Sequence, residues 1–184
     1  MGRTQPDRSD MMLFLLFMEL KLPFPIADHG VDIRSPRLRR AAIDWMEESD
    51  CDYAITLVFN RELPVDIAVK EVGRWLAKLE QRIRGCRAYR LPPKARIPAF
   101  AVPEHLSSNI HVHLALALID GEDVTSENIE DILEFAERTW RSMHPAGDFK
   151  ARRLFEPRGW FRYITKDGRR GSQLILGSDF HPNR

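Results

Sequence analysis

The feature that most constrains this chain is the run from Ile110 to Ile119, apolar except for His111 and His113. It reads as a β-strand buried along most of its length. Side chains alternate across a strand, so His111 and His113 stand side by side on one face while Val112 points to the other. Burying two imidazoles leaves several ring nitrogens to satisfy. Either the pair is a packed, hydrogen-bonded part of the core, or it grips a divalent cation, for which two imidazoles at this spacing are suited.

Around that strand the hydrophobic pattern switches between period two and period 3.6. Ser35-Pro36 supplies an N-cap and a first-turn proline for a helix to about Glu48. Tyr53 to Phe59 is β-branched and aromatic and reads as a buried strand. Pro64 precedes a long amphipathic helix to about Arg84, its stripe built from Val65, Ala68, Val69, Val72, Trp75, Leu76, Leu79 and Ile83, with Gly85 at its end. Ile97 to Val102 is the next strand, and Ser107-Ser108-Asn109 is a turn before the histidine strand. Gly121 marks a further turn, and Thr125 or Ser126 caps a helix from about Glu127 to Met143 that His144-Pro145 stops. Phe149 to Phe155 is a candidate strand, 157–166 a short helix, and the Gly/Ser/Asn-rich tail from Gly168 reads as loose. The order β-α-β-β-α-β followed by a helix predicts an α+β, ferredoxin-like (split β-α-β) fold. It has a central antiparallel sheet with helices on one face, which leaves the other face open.

Composition narrows the function. The 184 residues suit one domain with an ordinary core. There is no Walker-type Gly-rich phosphate loop, so a nucleotide motor is not expected. Cys51 and Cys86 form no Cys-x-x-Cys, which disfavours a thiolate zinc site and fits a reducing cytoplasm. The apolar segment Met11 to Met18 is too short to span a bilayer, and no small-x-small site follows it, so neither a membrane anchor nor a cleaved leader is expected. The net charge of +1 hides segregation. Arg82, Arg84, Arg87, Arg90, Lys94 and Arg96 follow one another with no acid between them. The stretch from Lys150 to Arg170 is basic apart from Glu156 and Asp167, whereas Asp120 to Glu137 carries acids and no base. These are either solvated faces or, for the basic segments, the walls of a path for a phosphate backbone with the acidic helix turned away.

The second basic segment contains Tyr163-Ile164-Thr165-Lys166, and on a helix Tyr163 and Lys166 share a face. Three blocks then stand in order: Ala54-Ile55-Thr56-Leu57-Val58-Phe59-Asn60, His111-Val112-His113, and Tyr163-Ile164-Thr165-Lys166. Together they resemble the three motifs of the HUH endonuclease superfamily, in particular its single-tyrosine rolling-circle replication initiators. The resemblance covers about Cys51 to Asp167, and departs from the family's pattern at Val58, where threonine is frequent. It divides the chain into an N-terminal extension with one helix (1–50), a catalytic domain (51–167) and a C-terminal tail (168–184).

The resemblance implies an enzyme: a metal-dependent DNA endonuclease and strand transferase that nicks and joins single-stranded DNA at a replication origin through a 5′-phosphotyrosine intermediate. It makes Tyr163 the nucleophile and Lys166 its helper, with Mg2+ or Mn2+ on His111, His113 and a third ligand; the ligands alone leave zinc open. A hairpin turning at 107–109 brings Glu104 beside the histidines as the candidate third ligand, with His105 as its competitor. Arg82, Arg84, Arg87, Arg90, Lys94, Arg96, Arg158 and Arg162 are the candidate nucleic-acid contacts. The partners expected are origin single-stranded DNA and, as a candidate, a host helicase, with no membrane and a cytoplasmic location. The alternatives are a single-tyrosine transposase of the same superfamily and a non-catalytic ferredoxin-like nucleic-acid-binding module that needs no metal.

Overall fold

Tyr53–Val58, Ala99–Glu104 and His111–Leu116 lie side by side in the middle of one antiparallel sheet, and the registers of these strands set which residues reach which face. The computed structural model describes residues 31–33, 35–87, 90–92, 95–104, 109–119, 124, 128–166 and 173–176. The apolar run at 11–18, Tyr89, Lys94, His105, the turn and capping residues expected at 107–108, 121 and 125–126, and the chain from 177 onward lie outside these residues.

Among the described residues there are six strands: β1 (Val31–Asp32), β2 (Tyr53–Val58), β3 (Ala99–Glu104), β4 (His111–Leu116), β5 (Asp148–Arg153) and β6 (Gln173–Leu176). The sheet order is β1-β6-β3-β4-β2-β5, antiparallel at every pairing. The helices are α1 (Pro36–Glu48), α2 (Val65–Arg84), α3 (Ile129–Met143) and α4 (Pro157–Ile164). The segment from β2 to β5 runs β-α-β-β-α-β, and its strands take the neighbouring order β3-β4-β2-β5. This is an α+β fold of the split β-α-β kind.

One face carries the larger core. Ile55 lies opposite Leu114, and Leu114 opposite Ala101. With Leu57, Val112 and Leu116 they pack on Val72, Trp75, Leu76 and Leu79 of α2 and on Ile132, Ala136 and Trp140 of α3. The Trp75 indole N–H donates to the Ala136 carbonyl at 2.9 Å and ties the two helices. Gly85 ends α2 in the left-handed region, φ +66°, with its N–H on the Gln81 carbonyl.

The opposite face is not open as expected. Ala54, Phe100, Val102 and Ala115 pack against Ala42, Ile43 and Met46 of α1 and Trp160, Phe161 and Ile164 of α4, with Ile33 and Leu174 beside them. Helices on one face alone therefore describes α2 and α3 only. The apolar stripe of α1 has to be buried somewhere, and this face is where the sheet still offers apolar surface.

A second difference is β6, where a loose tail was expected. It pairs Leu176 with Phe100 and Ile175 with Ala101, and its other side pairs with β1. Without it β3 would be an edge strand with open backbone groups. Pro103, which has no N–H to offer, falls beyond the stretch of β3 that β6 pairs with.

Gly147 and His144 close the turn between α3 and β5. A Cβ on Gly147 would lie 2.7 Å from the Val58 carbonyl and 2.9 Å from the Trp140 indole nitrogen. Gly147→Ala should cost about 1–3 kcal/mol in urea denaturation, because the carbonyl cannot swing away. His144 is buried, with its ring 4.4 Å from that of Trp140 and 4.9 Å from that of Phe59 (centroid distances). Burial pushes its pKa below the usual imidazole value of 6.5, against the opposing pull of Glu71, whose carboxylate is 3.5 Å from Nε2. The unfolded chain takes up this proton more readily than the folded one, so the histidine's contribution is complete above about pH 6.5 and is lost as pH falls below it. Urea midpoints at pH 7.5 and pH 5.5 should differ less in His144→Gln than in the parent; an unchanged difference would assign the acid sensitivity elsewhere.

Candidate active site

Residues opposite one another in a sheet share a face. One rung holds Glu104, His111, Val58 and Asp148; the next holds Val102, His113, Thr56 and Lys150. Both rungs face the side that α4 covers.

His113 is only 6% exposed and is held at both ring nitrogens. Nδ1 is 3.0 Å from the Thr56 hydroxyl, and Nε2 is 3.2 Å from a Glu104 carboxylate oxygen. Glu104 is equally buried, and its other oxygen lies 3.6 Å from the Lys166 ammonium. A buried carboxylate is costly unless it is paired, and here an imidazole and an ammonium flank it. The His111 ring is 6.4 Å from that of His113 and nearly perpendicular to it.

The helix α4 carries the tyrosine because its spacing splits two faces. Trp160, Phe161 and Ile164 form the buried stripe, and Tyr163 stands at its border, 45% exposed. The Trp160 N–H donates to the Leu114 carbonyl at 3.3 Å, which pins the helix to β4. The Tyr163 ring stacks on Trp160 at 5.4 Å and 22°, and meets His113 edge-on at 5.8 Å. The helix stops at Ile164, two residues short of expectation, with the buried Thr165 hydroxyl donating to the Phe161 carbonyl at 2.7 Å. Lys166 therefore reaches back from the turn and places its ammonium 3.7 Å from the centre of the Tyr163 ring.

Other nucleophiles are poorly placed. The Cys51 thiol is buried and its pKa is pushed up to about 12, by burial first and then by Asp52 and Asp50. Burial likewise raises the pKa of Tyr53, whose ring lies in the α2–α3 core. Of the two described tyrosines, Tyr163 is the one that lies beside His113.

The candidate nucleic-acid contacts separate. Arg82 and Arg84 end α2, and Arg87, Arg90 and Arg96 lie on the way into β3, which starts at Ala99. Glu104 ends that strand, about 17 Å further on at ~3.3 Å per residue. These arginines belong to the end of the sheet away from the Glu104–His111 rung, and Arg82 covers Phe135 on the α3 side. Arg158 pairs with Asp44 at 3.0 Å and with Glu47, joining α4 to α1. Arg162 is exposed on α4. Two cations not singled out by sequence do reach the site face: Lys150, opposite Thr56, and Arg152, opposite Ala54 and 4.6 Å over the Trp160 ring. Trp160 itself was visible only as a helical neighbour of Tyr163, and the role of Thr56 depends on strand pairing.

Among the described residues no three or more His, Cys, Asp or Glu side chains converge on one point. His113 and Glu104 bind each other, and His111 shares the rung of Glu104. Two imidazoles and a carboxylate are groups that divalent cations take as ligands, but Glu104 is engaged by His113 and Lys166, and the three would have to turn toward one point to hold an ion.

No family model, curated protein or solved structure matches this chain. No helix among the described residues is long and apolar enough to cross a membrane.

Thr56→Val keeps the side-chain shape and removes the partner of His113 Nδ1. It should cost about 1–3 kcal/mol, the usual penalty for stranding a buried polar atom, and shift the His113 imidazole nitrogen resonances. Unmoved resonances would mean that Thr56 does not orient the ring.

Proposed function

We propose that the chain is a DNA nickase and strand transferase of the rolling-circle replication initiator kind. The observation that carries this reading is the meeting of Tyr163, Lys166, His113 and Glu104 on one sheet face: Lys166 lies 3.7 Å over the phenol ring and 3.6 Å from Glu104, which is itself 3.2 Å from His113.

In this reading the Tyr163 phenol oxygen attacks the phosphorus of a single-stranded DNA phosphodiester. The Tyr163 O–P bond forms and the P–O3′ bond breaks. The proton lost by the phenol ends on the departing 3′-hydroxyl, and the 5′-phosphate stays on the enzyme. The Lys166 ammonium, over the face of the ring, steadies the phenol and faces the incoming phosphate. Trp160 holds the ring in place, while Lys150, Arg152 and Arg162 meet the phosphates on either side. His111, His113 and Glu104 would hold Mg2+ or Mn2+, which when bound neutralises charge building on the scissile phosphate. The step conserves bond types, so a 3′-hydroxyl attacking the phosphotyrosine reseals the strand without ATP. A freed 3′-hydroxyl primes DNA synthesis, and a host helicase in a reducing cytoplasm is the fitting partner. A single-tyrosine transposase would share the same site.

A second reading rests on one observation. The exposed Tyr163 ring stacked on Trp160 is also a platform for bases, as a non-catalytic single-strand-binding module would use it.

Incubation with a random single-stranded DNA library and Mn2+, followed by a denaturing gel, separates the two. The wild type should form a covalent adduct that mass spectrometry places on Tyr163. Tyr163→Phe should abolish nicking and adduct while leaving folding and DNA binding unchanged. Lys166→Ala should slow the reaction by about 10²-fold, EDTA should stop it, and Glu104→Ala should weaken Mn2+ binding by about 10–100-fold. An adduct on another tyrosine, or cutting by the phenylalanine variant, would overturn the mechanism. DNA binding without any adduct would favour the binding module.

A further inference from the structure

The strand β5 and the helix α4 form one unit along the site. β5 starts at Asp148, on the rung of His111, and ends at Arg153, opposite Tyr53 at the other end of the sheet. α4 then runs back and brings Tyr163 to His113 and Lys166 to Glu104. Leu154, Phe155 and Glu156 make the turn between them. The Leu154 N–H donates to the Asp52 carbonyl at 2.7 Å, and its side chain packs on the core under α4. Glu156 precedes the helix, and its carboxylate lies against Gly159 in the first turn. Phe155 has neither kind of anchor. It is 90% exposed, and its ring stands in solvent.

Local packing does not account for that ring. An apolar residue just before a helix cap often folds onto the fourth residue of the helix, here Trp160. Trp160 is already taken by Arg152, Tyr163 and His113. A lone exposed apolar residue is ordinary on a protein surface, but the surroundings of this one are not. Lys150, Arg152 and Arg153 precede it and Arg162 follows it, all exposed. None of the four forms an ion pair among the described residues. Elsewhere the surface cations are matched, Arg74 with Glu71, Arg138 with Glu134 and Arg141 with Glu137. The acid at the start of β5, Asp148, is held by the Asn60 amide at 2.9 Å. Lys150 and Arg152 stand two residues apart on one face of this edge strand, about 7 Å, a step that an extended single strand takes from phosphate to phosphate. Unmatched cations leading from Tyr163 to an exposed aromatic ring are the two parts of a single-strand surface, one for the backbone and one for a base. A duplex keeps its bases stacked on one another and has no use for such a ring.

We propose that the Phe155 ring stacks on one unpaired base of the bound strand, a few nucleotides from the phosphate at Tyr163, with Lys150 and Arg152 on the phosphates between. Phe155 lies eight residues before Tyr163, about 12 Å along a helix axis. Every base has a π-face, so this contact holds the strand without choosing its sequence. The inference rests on the reading of the chain as a single-strand DNA-binding protein. It adds the direction in which the strand leaves the tyrosine, along β5 toward the Arg153 end of the sheet.

The test separates stacking from cutting. Binding is measured on oligothymidylate with the Tyr163→Phe protein, which has no nucleophile at that position; covalent capture is scored separately with the wild type. Phe155→Ala in this background should weaken binding by about fivefold to a hundredfold, the worth of one stacked base. Phe155→Tyr should bind as the parent does, whereas Phe155→Leu, apolar but without a π-face, should bind as weakly as the alanine variant. Urea midpoints should be the same in all of them, because the ring is exposed. Lys150→Ala and Arg152→Ala should each lower the salt dependence of binding by about 0.7 in log–log slope. Strands carrying 5-iododeoxyuridine, irradiated in the complex, should cross-link to the peptide holding Phe155. Failure to bind oligothymidylate, unchanged affinity in Phe155→Ala, a leucine variant that binds as the parent does, or cross-links confined to other peptides would overturn the stacking assignment. An adduct on Tyr163 with binding indifferent to Phe155 sinks the stacking and leaves the nickase. Binding that depends on Phe155 without any wild-type adduct sinks the nickase and leaves the stacking.

Discussion

The pairing of β4 between β2 and β3 governs the site. A slip of one residue would turn His111 and His113 into the α2–α3 core and Val112 toward α4. The register is enforced mainly from the far side, where Leu57, Val112 and Leu114 fit between Trp75, Leu76 and Trp140. Asp52 adds a polar lock, its carboxylate accepting the N–H groups of Leu118 and Ile119 at 2.7 and 2.9 Å just past the end of β4. Apolar packing on one face thereby positions polar groups on the other. Thr56 lies opposite His113 and Glu104 opposite His111 because Leu57, Val112 and Leu114 must be buried.

The second dependence is on α4. Trp160 ties the helix to the sheet: its N–H holds the Leu114 carbonyl, and its ring meets Arg152, Tyr163 and His113. The buried Glu104 adds an electrostatic reason for α4 to close on the sheet, since Lys166 arrives only when the helix is seated. The ion pairs from Arg158 to α1 hold the same helix from its outer side. The seating of α4 and the pairing of the buried carboxylate are therefore linked at this face. Lys166 meets both the Tyr163 ring and the Glu104 carboxylate.

Much of the fold was legible in the sequence. The apolar stripe from Ala68 to Leu79, the aromatic and β-branched run of β2 and the left-handed stop at Gly85 are local signals, and each element formed close to its expected bounds. Less local features were not legible. The strand β6 looked like a loose tail because four residues gain a strand's stability only from the open edge of β3. The helix α1 gave no sign of which face it would cover. The arginines from Arg82 to Arg96 looked like part of one basic path with Tyr163, yet the chain delivers them to the other end of the sheet, while Lys150 and Arg152 arrive from the edge strand β5.

The sequence by itself determined that His111 and His113 share a face, which follows from the period of a strand, and that Tyr163 and Lys166 stay close, three residues apart along the chain although the helix ends between them. Tertiary structure decided that these two pairs meet. It also decided that Thr56 and Glu104 flank His113 and that Trp160 meets the His113 ring. The Glu104–His113 and Thr56–His113 bonds join residues 9 and 57 positions apart. No local period encodes such separations. They are fixed only when the core on the opposite face sets the strand register and α4 closes over the sheet.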